Sequence, residues 1–71
     1  MVEIFKTNVN TKRQANGILK VLHAHLPACH FNFDLDDCDR ILRVQTSNCP
    51  VEIQTIIQIV NHYSIEISLI Q

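Results

Sequence analysis

Cys29-His30-Phe31-Asn32-Phe33-Asp34-Leu35-Asp36 alternates strictly between apolar and polar side chains. Successive side chains of a strand point to opposite faces, so Cys29, Phe31, Phe33 and Leu35 form one buried face. Residues 36–39 are a polar turn, and residues 41–46 return as a second strand with Leu42 and Val44 pointing inward. Two such runs with a short turn between them make a hairpin.

Upstream of the hairpin lies a helix with a clear start. Thr11-Lys12-Arg13-Gln14 has the form of a capping box. The Thr11 hydroxyl accepts from the Gln14 backbone N–H, and the Gln14 side chain reaches back to the Thr11 N–H. Ala15, Ile18, Leu19, Leu22 and Leu26 then recur at helical spacing and mark the buried stripe. Gly17 weakens this helix by about 1 kcal/mol relative to alanine. Pro27 closes it. Residues 2–9 mix β-branched and aromatic side chains with polar ones, as a half-buried strand does. Their facing is ambiguous, because Val2 and Ile4 lie on one side and Phe5 and Val9 on the other.

Downstream, residues 50–64 are read as a helix. A strand there would expose Ile56 and Val60, whereas a helix gathers Ile53, Ile56, Ile57 and Val60 on one face. Pro50 suits a first helical turn. Residues 65–70 alternate again and form the last strand. The order β-α-β-β-α-β in 71 residues predicts one α+β domain over residues 1–71. Its expected form is a ferredoxin-like sandwich, a four-stranded antiparallel sheet with two helices on one face. That topology gathers residues 10–14, 36–39 and 62–63 at one end and leaves Cys29 and Cys49 at the other.

The balance of six Lys and Arg against seven Asp and Glu argues against nucleic acid or an anionic membrane as a partner. No apolar run approaches the ~20 residues that cross a bilayer. Residues 1–7 lack the charged and apolar regions of a secretion signal. Cys29, Cys38 and Cys49 are odd in number and lack C-x-x-C spacing. Reduced thiols in a cytoplasmic protein are therefore expected. The chain is too short for a large catalytic cleft, and no nucleophile-and-base pair can be assembled from its spacing. A single glycine offers no phosphate-cradling loop. Residues 40–46 contain neither glycine nor an aromatic, against an RNA-recognition module. An enzyme is not expected.

Phe5-Lys6-Thr7-Asn8-Val9-Asn10-Thr11-Lys12-Arg13-Gln14 resembles the opening of heavy-metal-associated domains, the copper-chaperone family. With the spacing of Leu22 and Leu26, the Phe31/Phe33 strand and Tyr63 before the last strand, the resemblance covers essentially the whole chain. In that family the first strand ends in a Met- or Ile-x-Cys-x-x-Cys loop that holds the metal. Here Thr11 and Gln14 stand where the resemblance places the two cysteines. A hydroxyl and an amide are poor ligands for Cu(I) or Zn, which favour soft thiolates. The same two residues make a good helix cap, so the resemblance implies a metal loop that has in effect become an ordinary helix start.

Other groups have plain readings. Asp34, Asp36, Asp37 and Asp39 lack the spacing and glycine of a calcium loop and form a solvated turn. Lys12 and Arg13, with Lys20 two turns on, are a solvated face or a basic spot for an acidic partner. His62 is an exposed helix-end histidine, and His23 and His25 do not share a helix face. Cys29 is a small buried hydrophobe, and Cys49 beside Pro50 would sit at a helix start, where thiol pKa values fall. The expected protein is a non-catalytic interaction module without a cofactor. Its surface is Asn10, Lys12, Arg13, Asp37, Asp39, His62 and Tyr63, facing a protein partner or supporting weak self-association. The alternative is a Cu(I) or Zn carrier using Cys38/His62 at one end or His25/Cys29/Cys49 at the other.

Overall fold

Phe5, Leu42 and Val44 are fully buried, and the strands that carry them are the two in the middle of the sheet. The computed structural model describes residues 1–36 and 38–70. Its elements are β1 (Val2–Thr7), α1 (Lys12–His25), β2 (His30–Asp34), β3 (Ile41–Gln45), α2 (Ile53–His62) and β4 (Ile67–Leu69). The strands lie in the order β2-β3-β1-β4, every neighbour antiparallel. This is the expected α+β, ferredoxin-like arrangement.

The register explains the core. Phe5 stands opposite Leu42 on one side and Leu69 on the other, while Phe31 and Phe33 stand opposite Val44 and Leu42. Ala15, Ile18 and Leu22 of α1 and Ile56 and Val60 of α2 join the same buried cluster. Both helices therefore cover one face of the sheet. Phe5 and Val9 point into that layer, and Val2 remains 51% exposed on the other side. The ambiguous first strand is thereby resolved. Gly17 is exposed, and a Cβ added there would meet nothing within 4 Å, so packing does not require it.

Two elements depart most informatively from the sequence reading. The second helix starts at Ile53 and not in the turn containing Pro50. Val51 is buried in the core cluster, and the Ile53 N–H donates to the Val51 carbonyl at 3.0 Å. Residues 50–52 thus form a non-helical connection that carries Val51 inward. The last strand covers Ile67–Leu69 and not residues 65–70. Ile65 is buried in the core, and at Glu66 the ladder gives way, because its N–H donates to the Asn8 side-chain oxygen and not to the Asn8 carbonyl. The other boundaries shift by one or two residues, as when Asp34 Oδ1 accepts from the Asp36 N–H and ends β2.

Two non-glycine residues adopt left-handed backbone, Arg40 (φ 50°) and Ser64 (φ 62°). Each closes a turn. Arg40 is held on both sides: Thr7 Oγ1 donates to its carbonyl at 2.7 Å, and its Nη1 donates to the Leu35 carbonyl at 3.3 Å. Ser64 follows α2 at the position where helices commonly end in glycine. Among the described residues, no helix is long and apolar enough to cross a membrane.

Candidate functional site

The first helix begins as a hydrogen-bonded cap. Thr11 is extended (φ −129°, ψ 155°), and its Oγ1 accepts from the Gln14 N–H at 3.1 Å. Gln14 Oε1 accepts in return, from the Asn10 N–H at 2.9 Å and not from the expected Thr11 N–H. With Thr11 extended, the preceding amide is the one within reach. Both side-chain oxygens are thus engaged in satisfying backbone donors that a helix start otherwise leaves open.

Three loops meet around this cap, as the topology requires. The Thr7 N–H donates to the Asp39 carbonyl at 3.2 Å, tying the end of β1 to the hairpin turn. Lys6 Nζ lies 3.8 Å from Asp39 Oδ1 across the same junction, an exposed pair of small energetic weight. Asn8 and Glu66 join the first loop to the approach of β4. The Asn8 N–H donates to the Glu66 carbonyl, the Glu66 N–H donates to Asn8 Oδ1, and Asn8 Nδ2 donates to Glu66 Oε2. Sequence reasoning missed this pair. The only signal was a lone acid just before the last strand.

The side chains assigned to the surface divide between two hollows. Arg13 and Gln14 line a shallow depression of about 220 Å³ with Gly17, Ile18, Tyr63 and Ile65. Tyr63 is 48% exposed there, and the His62 ring meets it edge-on at 5.1 Å. Lys12, one residue earlier, faces instead a groove of about 480 Å³ between α1 and β2, with Asp34 and Asp36. Consecutive helical residues point in different directions, so Lys12 and Arg13 do not act as one patch. Asn10 and Lys20 are exposed, and Asp37 lies outside the described residues.

Among the described residues, no three His, Cys, Asp or Glu side chains form a group that could hold a metal ion. Cys38 and Cys49 are exposed free thiols, and His25 and His62 are exposed at the ends of their helices. Because α2 starts at Ile53, Cys49 precedes the helix instead of capping it. Its carbonyl accepts from Thr46 Oγ1. Cys29 is buried in the core cluster, as expected. Burial pushes its thiol pKa up, and the nearby Cys49 and Glu52 add to the shift.

Two consequences follow for the thiols. In native protein, iodoacetamide should modify Cys38 and Cys49 readily and Cys29 only after denaturation, read as adducts by mass spectrometry. Equal native rates at all three would contradict the burial of Cys29. A folded pKa above the unfolded value leaves stability unaffected below the unfolded thiol pKa of ~8.5 and lowers it as pH rises beyond. No protein-family model and no curated protein matches the sequence.

Proposed function

We propose that the chain is a heavy-metal-associated-like domain that has lost its metal loop and works as a non-catalytic protein-interaction module. The observation that supports this most is the state of Thr11 and Gln14. Their side-chain oxygens complete the helix start, beside a half-exposed Tyr63 and the Arg13 side of α1. An exposed tyrosine over a shallow hollow, rimmed by an arginine, is the kind of anchor that protein interfaces favour. The mixed charges of Arg13, Lys12 and Asp39 would steer a partner more than they would hold it. Three free thiols accord with a cytoplasmic setting.

Two measurements test this reading. Titration with Cu(I) and with Zn under reducing conditions should give no stoichiometric binding tighter than about micromolar, since the available oxygens are unsuited to soft ions. Tight 1:1 binding would revive the carrier reading. Lys12→Glu with Arg13→Glu should leave the circular dichroism spectrum unchanged and reduce capture of partners. Unchanged capture would remove this end as the interaction surface.

A further inference from the structure

We infer that the outer edge of β2 is a self-association site, at which two copies pair antiparallel about a two-fold axis through Asn32. The proposal concerns the strand edge, which meets the capped end only at Lys12, and does not rest on that end's function.

The edge is open. β2 is hydrogen-bonded to β3 alone, and among the described residues no other backbone bond involves His30–Asp34. Proteins usually blunt such edges with short strands, prolines or bulges. The opposite edge obeys that rule, since β4 has three residues. β2 has five, without proline, in unbroken register with β3. Alongside it runs the groove between α1 and the strand, lined by half-buried Leu19, Phe33 and Leu35.

A second copy of this strand is chemically complementary to the first. The sequence His30-Phe31-Asn32-Phe33-Asp34 is symmetric in what it would present. Pairing about Asn32 sets His30 of one copy opposite Asp34 of the other, twice. The imidazole can donate to that carboxylate whether or not it is protonated. Asn32 meets Asn32, where two amides can exchange hydrogen bonds. Phe31 meets Phe33 on the helix-facing side, and one step further Cys29 meets Leu35. Alternation alone would match apolar to apolar in any odd-length strand. The placement of unlike groups at positions 30 and 34 is the specific feature, because two like charges there would repel. The union would give a continuous eight-stranded sheet. Five residues span only ~17 Å, so the dimer should be weak and concentration-dependent.

The test uses sedimentation of the whole chain up to about 1 mM, together with amide chemical shifts recorded against concentration. Dimer should form, with shifts concentrated in β2 and in the α1 residues along the groove. His30→Asp sets carboxylates opposite each other at both sites and should weaken association at least about tenfold. The His30 side chain is exposed and makes no hydrogen bond among the described residues, so circular dichroism should not change. His30→Asp combined with Asp34→Lys restores unlike pairs and should restore the dimer. A chain that stays monomeric throughout overturns the proposal. So does a dimer indifferent to His30→Asp, or one whose shifts map to Arg13, Gln14, His62 and Tyr63. A double variant that stays folded but monomeric overturns the Asn32-centred register.

Discussion

Phe5→Ala should leave a substantial fraction of the protein unfolded at room temperature. Phe5 is fully buried and stands between Leu42 and Leu69 in the sheet, beneath both helices. Removing a buried phenylalanine side chain typically costs about 3–5 kcal/mol, the lost transfer energy plus the cavity left behind. A chain of this length has only about 4–10 kcal/mol of total stability. One substitution therefore removes a large part of the whole. Urea unfolding followed by circular dichroism would show the midpoint falling or the folded baseline disappearing. Val2→Ala, on the same strand but half-exposed on the other face, should change stability by less than about 1 kcal/mol. Similar effects from both would mean that the facing of β1 is wrong.

That facing is a place where the sequence by itself stops short. Ile4 and Phe5 are adjacent and both apolar, so the two-residue period of β1 has no unique phase. Only the pairing of Phe5 with Leu42 and Leu69 decides it, and those partners are 37 and 64 positions away. By contrast, β2 was legible because Cys29, Phe31, Phe33 and Leu35 alternate without a break. The first helix was legible because its cap and its stripe agree. The second helix was correct in kind, yet Pro50 pointed to a start three residues early. Proline tolerates a first turn but does not demand one, and the burial of Val51 took precedence. In the last strand, alternation over residues 65–70 overstates the ladder, since the Glu66 N–H is taken by the side chain of Asn8, 58 positions away.

The candidate site divides along the same line. The Thr11–Gln14 cap is local, lies within one helical turn, and could be read directly apart from the identity of one donor. The depression under Tyr63 needs the end of α2, the approach to β4 and the first turns of α1 to come together. No short pattern encodes that. Lys12 and Arg13 look like one basic spot in the sequence and face different hollows in the fold.

The cap also supplies the most direct test of the family resemblance. Thr11→Cys with Gln14→Cys should produce a chain that binds Cu(I) 1:1, more tightly than micromolar. Cysteines three apart at a helix start lie on the same side of the first turn, where the N–H groups favour thiolates. The strand and helix that hold those positions are already in place. The gain should come with a loss, because replacing an N-cap costs about 1 kcal/mol. Thr11→Ala with Gln14→Ala separates the two effects, since it should lose comparable stability and gain no Cu(I) binding. Competition against a chromophoric Cu(I) chelator measures the first effect, and urea unfolding of the apo-protein measures the second. A double-cysteine variant that folds as the alanine variant does, yet binds no Cu(I), would show that these positions lack ligand geometry. The chain would then be a ferredoxin-like domain whose capped loop has no metal-binding ancestry to explain it.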